Sequence, residues 1–406
     1  MGMNDTPASE RIHIGFFGRR NAGKSSLVNA VTGQEMALVS DVKGTTTDPV
    51  SKTMELLPLG PVVIIDTPGF DDEGALGQQR VRRTRQTLSR TDAAVLVVDS
   101  STGMSACDHE LCQLFRTHQI PWVIAWNKTD RRDAKPAPEG SFPVCAETGQ
   151  GVHELKEALA KLTQAGRPES HLVADLLLPG QAVVLVVPID EAAPKGRLIL
   201  PQQQVIRDIL DAGASALVCR ENELPHTLEM LVQPPAMVIT DSQVFGLAAA
   251  ATPLHIPLTS FSILMARYKG LLEPAVYGVS ALRQLRPGDR ILIAEGCTHH
   301  RQCGDIGTVK IPRWIREFVG FDVAFDTASG RDFPEDLTPY RLILHCGSCM
   351  LTEREMESRV RQAQVQGVPI TNYGTAIAAM KGILHRSLSI LPELQALLEL
   401  DIPSGT

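Results

Sequence analysis

The chain has 406 residues, 43% of them apolar, and a formal net charge of −7. That length suggests two or three domains, each able to bury its own core. The mildly acidic balance argues against nucleic acid as the main partner, because phosphate binding needs concentrated Lys and Arg. No apolar run approaches the roughly 18 residues of a membrane span. With no secretory signal in view, the expectation is a cytoplasmic protein without a membrane partner. Met1 to Thr6 formally fits an N-myristoylation pattern; nothing else suggests a membrane, so it is read as chance. The basic run Arg80 to Arg90 reads as a solvated helix face. Eight cysteines in such a chain point to metal or redox chemistry rather than disulfides.

Ile12 to Phe17 is an apolar run able to form a strand, and Ser26 to Val31 can form a helix. Between them Gly18-Arg19-Arg20-Asn21-Ala22-Gly23-Lys24-Ser25 reads G-x-x-x-x-G-K-S, a phosphate-cradling loop in its proper strand–helix context. Inward backbone N–H groups and the helix N-terminus favour anionic phosphate. Lys24 should reach the β- and γ-phosphates and Ser25 should hold Mg²⁺; Gly23 and Ser26 complete the loop. Next comes Gly44-Thr45-Thr46-Thr47-Asp48. A threonine here, Thr46 or alternatively Thr45, could meet Mg²⁺ and the γ-phosphate only when triphosphate is bound, which makes a switch.

Pro61 to Ile65 is a buried-strand pattern delivering Asp66-Thr67-Pro68-Gly69. Asp66 can hold the Mg²⁺ water shell and the Gly69 N–H can sense the γ-phosphate. Ala93 to Asp99 reads as another strand. Pro121 to Trp126 is a further one, delivering Asn127-Lys128-Thr129-Asp130. The Asp130 carboxylate can accept from both N1–H and the 2-amino group of guanine, which adenine lacks, so GTP is selected. Cys145-Ala146 fits the loop that backs the base. These five elements resemble the translation-factor class of small GTPases, and within it the Era and MnmE/TrmE group. In that group an asparagine at the position of Asn21 helps to bind K⁺, so K⁺-stimulated hydrolysis is implied. Phe70 stands where Ras-type enzymes carry a water-orienting glutamine, so hydrolysis is expected to be slow and to serve as a switch.

Gly166 to Ser170 reads as a linker. Beyond it, Ala182–Pro188, Ala214–Cys219 and Ala236–Thr240 read as strands, and Gln202–Ala212 and Leu224–Leu231 as helices. The alternation predicts a small parallel sheet. So few strands leave edges exposed, which pairing with a second copy would cover. No catalytic constellation is visible here, and Cys219 reads as a buried small hydrophobe.

A second series follows. Arg290–Ala294 ends in Glu295-Gly296-Cys297-Thr298-His299-His300, Tyr340–Leu344 in His345-Cys346-Gly347-Ser348-Cys349, and Val368–Thr371 in Asn372-Tyr373-Gly374. Helices are expected over Glu353–Gln366 and Ala376–Leu384. Parallel strands bring their C-terminal ends to one edge, so Cys297, Cys346 and Cys349 should converge. Three thiolates suit an Fe–S cluster or Zn²⁺. With three cysteines a [4Fe–4S] cluster has one distinctive iron, open to His299, His300, His345 or an exchangeable ligand; Cys303 could compete. A redox dithiol at Cys346/Cys349 and a structural zinc are the other readings.

The C-x-H plus H-C-x-x-C pattern, downstream of a K⁺-type GTPase, resembles the [FeFe]-hydrogenase maturation GTPase family, HydF. Leu264 to Gly270 and Gly304 to Thr308 look like that family as well. The resemblance places its cluster-binding pattern on Cys297, His299, His345, Cys346 and Cys349. Ser348 stands where many relatives carry glycine, a change expected to be tolerated. What the resemblance implies is a homodimer carrying a [4Fe–4S] cluster and acting as scaffold or carrier of the hydrogenase two-iron subcluster, with radical-SAM maturases and apo-[FeFe]-hydrogenase as partners. The expected fold is α/β: an N-terminal P-loop GTPase domain over 1–168, then two smaller parallel-sheet domains, 169–262 for dimerisation and 263–406 for the cluster. The competing reading is an MnmE/Era-like RNA- or ribosome-associated GTPase with a structural zinc site. No basic-aromatic RNA-binding pattern supports it.

Overall fold

A computed structural model describes residues 6–34, 50–70, 84, 86–164, 170–189, 198–296, 306–330 and 332–400. The chain divides into two compact units, 1–168 and 169–406.

The first unit is built on strands β1 (Ile12–Phe17), β2 (Val50–Leu56), β3 (Gly60–Asp66), β4 (Ala93–Asp99), β5 (Trp122–Asn127) and β6 (Ser141–Pro143). Their order is β2-β3-β1-β4-β5-β6. All pairs are parallel except β2 with β3. The middle strands are continuous apolar runs because helices cover both faces. Strand alternation sends Phe16, Ile64 and Val95 to one side, where they meet Leu27 and Val28 of the helix Lys24–Thr32 and Leu155 and Leu159 of the helix Val152–Gln164. Phe17, Leu96 and Val98 go to the other side, against Leu111 and Phe115 of the helix Ala106–Thr117. That helix begins in a capping box. The Ser105 hydroxyl accepts from the Asp108 N–H, and the Asp108 carboxylate accepts from the Ser105 N–H at 2.9 Å.

The second unit holds two four-stranded sheets. One comprises β7 (Ala182–Val186), β8 (Ser215–Cys219), β9 (Met237–Thr240) and β10 (Leu258–Ser260), in the order β10-β9-β7-β8. The other comprises β11 (Arg290–Glu295), β12 (Ala324–Ser329), β13 (Leu342–His345) and β14 (Ile370–Asn372), in the order β12-β11-β13-β14. Both are wholly parallel among the described residues. The helix Phe261–Tyr268 lies between two cores. It gives Ile263 and Ala266 to the core that also contains Val184, Ile293 and Leu344, and Phe261, Leu264 and Met265 to the core around Leu185, Val205 and Ile239.

The α/β architecture is the one expected, with a P-loop unit followed by parallel sheets. Four strands escaped the sequence reading. Strand β6 spans only Ser141–Pro143, at one edge of its sheet. Strand β2 is mostly exposed and alternates polar residues; β10 spans only Leu258–Ser260; β12 is an edge strand, Ala-Phe-Asp-Thr-Ala-Ser, with little apolar alternation. Edge strands need no apolar run, because one side or one face stays open.

Arg386 ties the helix Leu384–Ser387 to the chain after the helix Phe245–Ala251. Its guanidinium donates to the carbonyls of Ala249, Thr252 and Pro253 at 3.1, 2.8 and 2.7 Å. Arg386→Met leaves those acceptors short of a donor, at about 1–3 kcal/mol for each group that stays buried. The urea midpoint of the second unit should fall by an amount worth about 2–3 kcal/mol, while that of the first unit is unchanged.

Candidate nucleotide and metal sites

The loop after β1 wraps the N-terminus of the helix Lys24–Thr32. Gly23 stands at its N-cap with φ of 89°, a left-handed backbone that a side chain would strain. A Cβ there would lie 2.3 Å from Asn127 Nδ2, so only glycine lets the loop close on the base-binding strand. Lys24 is buried, and its ammonium donates to the carbonyls of Gly18 and Arg19 at 3.1 and 2.8 Å. A buried ammonium at the start of a helix that follows a glycine-rich turn is the arrangement that receives phosphates.

The Ser25 hydroxyl donates to Asp66 Oδ2 at 2.6 Å. The other carboxylate oxygen, Oδ1, is buried without a hydrogen-bond partner. Burial raises the Asp66 pKa, against the opposing effects of the Ser25 hydrogen bond and the Lys24 charge. A hydroxyl beside an orphaned, desolvated carboxylate oxygen is the donor set that Mg²⁺ takes, so the residues present fit the ion. Downstream, Thr67 is fastened to β1 through its N–H and hydroxyl, both donating to Phe16 O at 3.3 and 2.6 Å. The Phe70 N–H reaches Gly18 O at 3.4 Å, and the Phe70 ring is buried with Phe17 and Leu88. Position 70 therefore presents a core side chain, not a group that orients water.

The base-binding side is equally interlocked. Asn127, at the end of β5 and buried, donates to Ala22 O at 3.0 Å and accepts from the Ala146 N–H at 3.1 Å. One amide thus joins the phosphate loop to the 145–146 loop. Lys128 Nζ lies 2.6 Å from both Asn21 O and Asp99 Oδ2. Burial of Asp99 is outweighed by hydrogen bonds from Lys128 and Ser101, which hold its carboxyl below the usual range. The Cys145 thiol donates to Asp130 Oδ1 at 3.1 Å, orienting the carboxylate expected to read guanine. Asn21, Gly23, Lys24, Ser25, Ser26, Asp66, Gly69, Asn127, Lys128, Asp130, Cys145 and Ala146 all belong to the first unit. Thr45 and Thr46 lie outside the described residues.

In the second unit the ends of β11 and β13 meet. They pair in register, Ala294 beside His345, and the Cys346 N–H continues the ladder to Ala294 O at 2.9 Å. Cys346 Sγ accepts from two backbone amides, Gly296 N–H at 3.1 Å and Ser348 N–H at 3.4 Å. Gly296 packs so tightly on Leu351 that a Cβ would come within 2.7 Å of its Cγ. Cys346 lies against the core of the last sheet and Cys349 against the core around Leu264 and Met265. Amide donors aimed at a sulfur are the setting in which thiolate-bound clusters are stabilised, so these residues fit such a cluster. Among the described residues no three ligating side chains are gathered. Cys297, His299, His300 and Cys303 lie outside the described residues.

His345, expected as a ligand, has both ring nitrogens engaged within the chain. It is wholly buried, with Nε2 at 3.0 Å from Arg359 Nη1 and Nδ1 at 3.0 Å from Cys346 O. A guanidinium only donates, so Nε2 accepts and the ring proton sits on Nδ1, where Cys346 O receives it. Neither nitrogen is open to a metal. Burial first, then the Arg359 charge, lowers its pKa to about 3, which keeps the ring neutral. Arg359 is the residue the sequence reading missed; a lone arginine within an amphipathic helix carries no signal of its own.

Residues 172–270 match a family model described as the hydrogen maturase F dimerization domain, and residues 273–390 one described as its tetramerization domain. Together they cover more than half of the chain. The chain belongs to the hydrogen maturase F family. Residues 13–128 match a model described as a 50S ribosome-binding GTPase. Relatives matching part of this HydF chain include the tRNA modification GTPase MnmE of Synechococcus sp. (strain JA-3-3Ab), 37% identical over 174 residues, 41% of this chain and 37% of that protein. MnmE of Nitratidesulfovibrio vulgaris (strain DP4) is 34% identical over 163 residues, 38% of this chain and 35% of its own length. The chain therefore spans little more than a third of these curated relatives. A solved structure of Era with MgGDPNP and a 16S ribosomal RNA fragment covers 51% of this chain at 19% identity and a TM-score of 0.35, a likeness too remote to add to the family matches. Among the described residues no helix is long and apolar enough to cross a membrane.

The buried, raised-pKa Asp66 destabilises the nucleotide-free unit in return for metal binding, a common pattern at functional sites. Asp66→Asn should raise the melting temperature of the nucleotide-free protein and remove Mg²⁺-dependent GTP hydrolysis. Calorimetry and a phosphate-release assay check the two halves separately.

Proposed function

We propose that this HydF chain hydrolyses GTP as a slow, K⁺-stimulated switch and carries a [4Fe–4S] cluster on its last sheet, serving as scaffold or carrier in [FeFe]-hydrogenase maturation. In the first unit, backbone amides of residues 19–25 and the Lys24 ammonium would take the phosphates, while Ser25 and Asp66 would hold Mg²⁺. Bound Mg²⁺ would neutralise charge developing on the transferred phosphoryl group. Asp130, oriented by Cys145, would accept from the guanine edge, and Asn127 would keep the two base-side loops together. Thr46 is the proposed switch threonine, and the Gly69 N–H its companion at the γ-phosphate. With Phe70 in the core, no side chain at that position orients water, which supports slow turnover. Asn21 is the proposed K⁺ contact.

The observation that carries the cluster reading is the pair of amides on Cys346 Sγ. One of them belongs to Gly296, the residue before Cys297. The end of β11, at Gly296, therefore lies against the C-G-S-C segment. We propose Cys297, Cys346 and Cys349 as the thiolate ligands, with His299 or an exchangeable group on the remaining iron. The cluster would supply a Lewis-acidic iron where a two-iron precursor could attach. Self-association through 172–270 and 273–390 follows the descriptions of the matched family models. Strand β8, an edge with Val218 half exposed, is a candidate surface within the first of these regions. The radical-SAM maturases and apo-hydrogenase remain the proposed partners. Transfer of tRNA modification from MnmE has no support, because the second unit matches HydF models.

Anaerobic reconstitution of the full chain with ferrous iron and sulfide should give a brown protein with broad charge-transfer absorption. Cys297→Ser, Cys346→Ser or Cys349→Ser should each abolish that absorption and leave GTP hydrolysis intact; Lys24→Ala should do the reverse. A colourless chain holding one zinc would sink the cluster reading. Separately, GTP turnover in KCl should exceed turnover in NaCl, and equal rates would remove the K⁺ assignment.

A further inference from the structure

The cluster reading leaves unexplained a buried charge next to it. Arg359 lies on the helix Glu353–Val365 and is only 5% exposed. Its Nη2 donates to Gly330 O at 2.6 Å and to Glu355 Oε1 at 3.2 Å. Its guanidinium stacks over the Phe333 ring, 4.9 Å from the centroid. Its Nη1 is committed to His345 Nε2 at 3.0 Å. Helix, chain turn and aromatic face thus hold one cation against one imidazole.

That imidazole in turn holds the cysteine. His345 Nδ1 donates to the carbonyl of Cys346, and the Ser348 hydroxyl lies 3.1 Å from the same nitrogen. Ser348 has φ of 60°, and its hydroxyl also reaches Cys346 O at 3.2 Å and Met356 Sδ at 3.0 Å. The peptide that bends to present Cys346 Sγ to the amides of Gly296 and Ser348 is therefore fixed from behind. One imidazole and one peptide therefore connect the guanidinium to Cys346.

We infer that Arg359 acts through His345 as the positioning residue for Cys346, and that it supplies a fixed positive charge beside the bound cluster. The inference rests on the [4Fe–4S] reading. Outer partners of ligands set ligand orientation and tune the metal. A cluster held by cysteine thiolates carries net negative charge that grows on reduction, so a nearby buried cation favours the reduced form. An arginine with only a structural task would hold Gly330 and the helix without moving a reduction potential.

The test uses the full chain, reconstituted anaerobically, as wild type, Arg359→Met, Arg359→Lys and Cys346→Ser. Iron and sulfide per chain, the midpoint potential followed by electron paramagnetic resonance, and GTP hydrolysis with circular dichroism as the folding control are measured together. Arg359→Met should retain the cluster roughly tenfold to a hundredfold more weakly, as losses of such outer partners do. What it retains should have a more negative potential. Arg359→Lys keeps the charge but not the fork, so its potential should stay near wild type while retention weakens. If Arg359→Met does not fold, Arg359→Lys decides alone. Wild-type loading in every folded Arg359 variant, with Cys346→Ser empty, overturns the inference and spares the cluster reading. A wild-type chain that takes up no iron overturns both.

Discussion

Hydrogen bonding between parallel strands is the constraint on which this molecule depends. It aligns strand ends on one edge, and it fixes register, because a shift of one residue would turn every core side chain outward. In the first unit the ends of β1, β3, β4 and β5 bear Gly18, Asp66, Asp99 and Asn127. In the second, β11 and β13 pair so that Ala294 faces His345. That one register brings the Gly296 amide to the Cys346 sulfur. The chemistry of both units therefore rests on sheets whose interiors are dominated by packed aliphatic and aromatic side chains.

The nucleotide side was legible in the sequence for a physical reason. Phosphate needs amides that only a glycine-rich turn can converge, the metal needs a hydroxyl and a carboxylate at fixed offsets, and guanine needs an acceptor facing two donors. Few sequences meet all three by accident. The central strands were legible because burial on both faces demands unbroken apolar runs. Strands β2, β6, β10 and β12 were not, since an edge or a very short strand places little demand on composition. HydF membership was legible from the cysteine and histidine spacing.

His345 shows what spacing alone does not carry. Standing beside a C-x-x-C, it has the look of a ligand. What decides its role is Arg359, a turn into the following helix, together with Gly330 and Phe333 from a different connection. Only the folded chain assembles them. Ser348 is a related case. The sequence offered it as a harmless replacement of glycine. Its left-handed backbone costs about 1 kcal/mol or more, yet its hydroxyl contacts His345, Cys346 and Met356. The serine is thus an engaged part of the turn.

Cys349 packs against the core that holds Leu264, Met265, Leu185 and Ile239, whereas Cys346 packs against the other core, which holds Val184 and Val238 together with Ile293 and Leu344. The two sulfurs of one short loop are therefore rooted in separate layers. Any rearrangement that draws them toward a common ion must pull on both layers at once. Loading of the proposed cluster site would then act on residues 172–270 as well as on the loop itself. The layer bearing the family's first assembly region would then respond to what the two thiols hold.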